Sequence, residues 1–221
     1  MKLVEYELSR AIRFFTITPV AGQVLYGANM VKALQARYGF VEVPNKVSEY
    51  DLKAGVTFLH GFFMDRWVID RFQVYDNGLM AEAKVDTEEL EAFLDDVVKW
   101  AASEAGMVLA PNPNLGTPFL SQMVFESSVD LSAYFSDLAK FAAGVSAKVA
   151  SYGLVNVPAQ VSGLHIGTDP ALNGGWNCRF ERRVNAPFSA QLFFSSAPLK
   201  TSDHLTLLMD LEEALTRRPS V

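Results

Sequence analysis

Three histidines (His60, His165 and His204), one cysteine (Cys178) and a scatter of carboxylates are the side chains from which this chain of 221 residues could assemble an active site. Acid–base or metal-assisted chemistry needs such groups gathered within hydrogen-bond or coordination reach. Their spacing in the sequence does not gather them. His60 lies in an apolar run beside Gly61, the setting of a core or edge-strand histidine. His204 falls in the first turn of the last helix, where a neutral surface or capping role accounts for it. Cys178 alternates with Trp176 and Phe180 and has no second cysteine to work with, which predicts a buried, inert thiol. Glu88, Glu89 and Glu91 open a helix, where the dipole favours them, and a pair such as Asp95-Asp96 is too common to mark a magnesium site. Asn173-Gly174-Gly175 precedes no helix, so it reads as a turn and not as a phosphate cradle.

His165 is the most pointed of these residues. Leu164-His165-Ile166-Gly167-Thr168 superficially resembles the paired His-x-Thr motifs of the two-histidine phosphoesterases. In that family one apolar residue separates His from Thr or Ser, so both side chains point into one cleft. Here two residues intervene, and His60-Gly61-Phe62 supplies no second copy. A buried strand position is expected for His165 instead. Arg179, Arg182 and Arg183, with Glu181 among them, form the only dense basic cluster and read as a solvated strand face. No residue is assigned as catalytic, cofactor-binding or metal-ligating. No cofactor is expected, and the chain reads as a non-enzyme.

The bulk properties narrow the classes further. Half of the residues are hydrophobic, a fifth are charged, and mean hydropathy is +0.13, which excludes disorder. So much apolar surface favours a partner or self-association. Net charge is −6; residues 1–112 hold 11 Lys/Arg against 16 Asp/Glu, and residues 113–221 hold 8 against 9. Neither half is basic, so no nucleic-acid partner is expected. A lone cysteine forms no internal disulfide, and acidic Glu5 and Glu7 interrupt any apolar leader. The longest uncharged stretch, Ala105 to Phe125, carries Pro111, Pro113 and Pro118 and is no membrane span. A soluble, cytoplasmic protein with no membrane association is expected.

The elements that must position these side chains come in an order that occurs twice. Leu3–Leu8 and Ile12–Val20 read as extended pieces, then Val24, Leu25, Ala28, Val31 and Leu34 recur at helical spacing before Gly39, a left-handed cap. Phe40–Val43 reads as a short strand and the apolar Gly55–Phe63 as a central one. Trp67–Tyr75 and Leu79–Val85 alternate around Asp76-Asn77-Gly78, a hairpin signal, with Val68, Phe72 and Val74 on one face. Asp86 opens a helix with Leu90, Phe93, Leu94, Val97 and Ala101 on one stripe, and Glu89 stands at capping-box spacing. Met107–Pro118 reads as a loop between halves.

The second half repeats the order. Gln122–Val129 leads into a long helix from Leu131 whose stripe is Tyr134, Phe135, Leu138, Phe141, Ala142, Val145 and Val149. Val155–Val161 alternates, a bulge at Gly163 shifts the phase to Leu164 and Ile166, and strands follow with Trp176, Cys178 and Phe180, then Phe188, Ala190, Leu192 and Phe194, sharing faces. The closing helix carries Leu205, Leu208, Leu211 and Leu215.

The fold class expected is α+β: an antiparallel meandering sheet with helices packed on one face, and a duplicated strand–helix–strands–helix unit. Its halves are residues 1–112 and 113–221, tightly packed. The order is similar to the strand–helix–strands–helix unit of TATA-binding-protein-like and helix-grip folds, in element order alone, and it implies no function. The leading functional expectation is a non-enzymatic interaction or assembly protein, a homo-oligomer or bound to a protein partner. Its contacts are expected at Met107–Pro118 or at the uncharged Val184–Leu199. The alternative is a small apolar ligand held in a helix-grip-like cavity between the sheet and the helix from Leu131. A hydrolase using His165 with acidic partners comes third.

Overall fold

The computed structural model describes residues 1–19, 27–104, 106–111, 115–129, 131, 135–153, 158–169, 171 and 175–217. Among them are nine strands and four helices, and every strand pair whose register is defined is antiparallel. This is an α+β fold with an open sheet. The chain forms two compact units: Tyr6–Gln122 with Pro198–Ser202, and Met1–Glu5 with Met123–Ala197 and Asp203–Val221. Val24, Leu25, Pro113, Tyr134, Val155, Val157, Asn173 and Gly174, all used above, lie outside the described residues.

The larger unit runs β1 (Lys2–Pro19, from Tyr6), α1 (Gly27–Tyr38), β2 (Val56–Phe63), β3 (Trp67–Tyr75), β4 (Gly78–Ala83), α2 (Thr87–Ser103) and β5 (Met107–Pro111). Its strand order is β2-β3-β4-β1, with β5 also on β1. The two extended pieces expected at the start are one strand. α2 begins as its sequence says: the Asp86 carboxylate accepts the Glu89 N–H at 2.8 Å. Glu89 does not return the bond; it accepts from Arg66 at 2.9 Å and from the Trp67 indole at 3.3 Å. Leu90, Phe93, Leu94 and Val97 from α2 and Val31 and Leu34 from α1 share one core with Phe58, Ile69 and Phe72 of the strands. The Phe93 ring meets Tyr38, Phe63, Phe72 and Trp67 edge-on, with centroids 5.1–6.2 Å apart.

Apolar continuity in β2 has a different cause from the central position expected of it. β2 ends the strand order, and only the Glu42–Leu59 bridge lies beyond it, so Phe40–Val43 is not a full strand. His60 takes a left-handed backbone, φ +55°, and there the inward positions change from Val56 and Phe58 to Gly61 and Phe63. One phase followed by the other reads as an unbroken apolar run. Opposite, Ile69 is buried and Val68 is exposed, which corrects the face given to Val68. Gly61 lies under the Phe40 ring, where a Cβ would sit 2.5 Å from a ring carbon. In the β3–β4 hairpin Tyr75 pairs with Gly78 across Asp76-Asn77, and none of the three has positive φ. Gly78 is needed for close approach instead: a Cβ there would meet the Arg13 carbonyl oxygen of β1 at 2.5 Å.

The smaller unit contains the end of β6 (Phe119–Glu126), α3 (Ser136–Ser151), β7 (Gly163–Gly167), β8 (Asn177–Arg182), β9 (Leu192–Ala197) and α4 (Thr201–Arg217, from Asp203). Its strand order is β7-β8-β9-β6. Both units therefore run strand, helix, three strands, helix, with the first strand beside the last of the three. Phe125, Phe180 and Phe193 stack at 4.9–5.8 Å, and Leu208 and Leu215 of α4 join that core. Phe193, not Phe194, faces inward. Phe188–Ala190 is a 3-10 turn, and Gln191 at φ +52° resets the phase before β9 begins. Ala159–Ser162 is not a strand.

Met107–Pro118, expected as a loop, opens as β5, paired with Phe15–Pro19 of β1. The prolines tolerate this because Pro111 ends the strand. Phe93→Ala is expected to cost about 3–5 kcal/mol in urea unfolding, since one truncation empties the contact point of four rings. Phe141→Ala on exposed α3 is expected to stay within roughly 0.5 kcal/mol. Equal midpoint shifts for the two variants would contradict this packing.

Candidate functional site

α3 is a good local helix whose described side chains are all exposed or only partly buried. Alanines favour its formation, Asp137 in the first turn and Lys148 in the last suit the dipole, and Gly153 at φ +77° ends it. Its root is anchored: Leu131 is buried in the smaller unit's core and Phe135 packs against the same cluster. Beyond the root the apolar stripe continues uncovered. Leu138 is 49% exposed, Phe141 71%, Val145 41% and Tyr152 74%. None of the described α3 side chains is buried, whereas α1, in the same place in the element order, buries Val31, Leu34 and Tyr38. From Leu131 the positions 131, 135, 138, 142, 145, 149 and 152 alternate four and three apart, the spacing of a helix-pairing seam.

The residues that could do chemistry are not brought together. His60 is exposed on the edge strand β2. His165 is exposed rather than buried; its Nε2 lies 3.3 Å from Glu181 Oε2 across the β7–β8 pair, on an open strand surface. His165 therefore does not hold the buried strand position expected of it. Cys178 is half-buried, and burial pushes its thiol pKa up, away from a reactive thiolate. Asp95 contacts Arg13, while Asp96 accepts a fork from Arg37 at 3.0 Å and the Tyr38 hydroxyl at 2.7 Å. Glu91 binds Lys200 at 2.6 Å, and Glu88 accepts the Ser202 hydroxyl at 2.6 Å. Among the described residues no group of three or more His, Cys, Asp or Glu could hold a metal ion, and no helix is long and apolar enough to cross a membrane. The basic cluster is not simply solvated: the Arg182 guanidinium lies 4.3 Å from the Phe193 ring centroid and donates to the Phe188 carbonyl at 3.2 Å.

His204 too lies elsewhere than the surface or capping position expected of it. It is buried, with Nε2 2.8 Å from Ser195 Oγ on β9. The serine hydroxyl donates to the Arg179 carbonyl at 2.7 Å, so the imidazole must be the donor in the other bond. That polarity is the reverse of a base activating a nucleophile. The pair instead ties α4 to β8 and β9. Ser195 alternates with Phe193 on the inward face of β9, and that phase was the signal for a buried partner.

Burial pushes the His204 pKa down from 6.5 to about 4. The unfolded chain takes up its proton first, so this contribution to stability is complete above pH 6.5 and is lost as pH falls towards 4. The loss amounts to ~3 kcal/mol. In His204→Gln the urea midpoint should start lower at pH 7 and decline less between pH 7 and 4.5. An acid decline identical to that of the parent chain would contradict the assignment.

An apolar cavity of about 780 Å³ lies in the larger unit beside α1, and not against α3 as the ligand-binding alternative anticipated. Among known proteins no family model matches the chain, and no curated protein matches it either. What the chain does has to be argued from its own residues.

Proposed function

We propose that this is a non-enzymatic, self-associating interaction protein of the cytoplasm, and that α3 is its contact element. The observation that carries the reading is the uncovered stripe of Leu138, Phe141, Val145 and Tyr152 on a helix whose root is fixed in a core. Exposed apolar area costs about 25 cal/mol per Å² relative to burial, so a row of such side chains gains by pairing. A second copy is the natural occupant. The seam carries no charge, Asp137 is paired with Lys140 at 3.1 Å within the helix, and two copies can meet without like charges opposed.

The contact segments expected from sequence yield to α3. Within Met107–Pro118 the strand Met107–Pro111 pairs with β1, and within Val184–Leu199 β9 lies between β8 and β6, so those parts already have partners in the chain. A cytoplasmic setting is supported by the single half-buried thiol.

Light scattering after size exclusion is expected to give a dimer or higher species at micromolar concentration. Phe141→Glu with Val145→Glu should give a monomer whose melting temperature and circular dichroism match the parent chain. A parent chain that is monomeric and free of any co-purifying partner would remove the basis of this reading.

A further inference from the structure

The cavity beside α1 is built from one end of the larger unit's core. Met30 and Val31 of α1, Val56 and Phe58 of β2, Val74 of β3 and Met107 of β5 form its walls. Among the described residues no charged one lines it. Its volume, about 780 Å³, falls within the usual range for small-molecule sites.

The space is open because of the residue types that begin α1. Gly27 and Ala28 line the cavity where longer side chains would fill it, and a Cβ at Gly27 would already stand 3.4 Å from the Tyr50 ring. Two methionines in the walls adapt to irregular apolar shapes.

Among the described lining residues, Asn45 and Tyr50 carry the polar side-chain groups. Tyr50 is one of the lining residues, and its hydroxyl donates to the Pro44 carbonyl at 3.1 Å. Next to Pro44, the Asn45 side-chain amide has no hydrogen-bond partner among the described residues. The amide can donate to an oxygen and accept from a hydroxyl.

We infer that this cavity binds a molecule with one flexible aliphatic chain and a single small oxygen-bearing head group, a fatty acid or fatty alcohol. The chain lies along Val31, Val56, Phe58 and Met107, and the head group meets Asn45. A ligand with polar groups along its length is disfavoured, because those groups would lose water with no partner in the walls. This inference is independent of self-association through α3.

The test is fluorescence titration of the whole, solvent-extracted chain with cis-parinaric acid, followed by displacement with decanoate and with 1-decanol. Saturable binding with displacement by either competitor is the expected result. Displacement by both assigns recognition to the chain; displacement by one alone assigns it to that head group as well. Ala28→Trp projects into the site from an exposed position and should weaken cis-parinaric acid binding by about tenfold or more without lowering the melting temperature. Should that variant fold poorly, Asn45→Leu, also exposed, should reduce the preference between decanoate and 1-decanol. Phe141→Glu should bind as the parent does. No saturable binding by the parent chain, or displacement by neither competitor, would overturn the inference. So would unchanged affinity in folded Ala28→Trp.

Discussion

The larger unit depends on one aromatic interlock. Phe93 of α2 reaches Phe63, Phe72 and Trp67 in the strands and Tyr38 in α1, all edge-on, where the positive rim of one ring meets the negative face of another. That contact brings the Tyr38 hydroxyl into a mostly buried place, where it needs a partner. Asp96 supplies one from the next turn of the same helix, three residues on from Phe93. Burial and the neighbouring carboxylate both raise the Tyr38 pKa, so the hydroxyl stays a donor. Arg37 completes the arrangement by forking onto Asp96. The C-terminal end of α1 is thereby clamped to α2. Its N-terminal end begins with Gly27 and Ala28, and the cavity lies there.

The smaller unit uses the same element order with a different closure. Three stacked phenyl rings occupy its centre, and Leu208 and Leu215 of α4 cover them. His204 adds a buried, neutral tie to Ser195, so the start of that helix is held by a hydrogen bond as well as by packing. Leu131 and Phe135 take what remains of the core. Past them Leu138, Phe141, Val145 and Tyr152 of the same stripe are exposed, so the seam begins buried and ends exposed.

Local chemistry was legible where it acts within one element. The Asp86 cap, the α2 stripe, the turn before Gly78, the left-handed Gly39 and the leucines of α4 all follow from spacing, because each depends on neighbours within a few residues. Strand phase was less legible. His60 and Gln191 take left-handed backbones, and neither residue type announces it, yet each moves the inward face by one position. Phe194 was given the wrong face in this way, and Val68 pairs with Phe62, which lies beyond His60 and, like Val68, is exposed.

By itself, then, the sequence determined the α+β class and the main helices and strands of each half, since periodicity and composition are properties of the chain. Tertiary structure decided which amphipathic faces are covered. α1 and α3 both carry apolar stripes, yet α1 buries Val31, Leu34 and Tyr38 while no described α3 side chain is buried. It also decided why Gly61 and Gly78 are glycines, as their need comes from the Phe40 ring and the Arg13 carbonyl and not from their own backbone angles. A stripe specifies that a helix has an apolar face. Whether that face meets a partner depends on residues far away in the chain, and only the packed structure brings them to it.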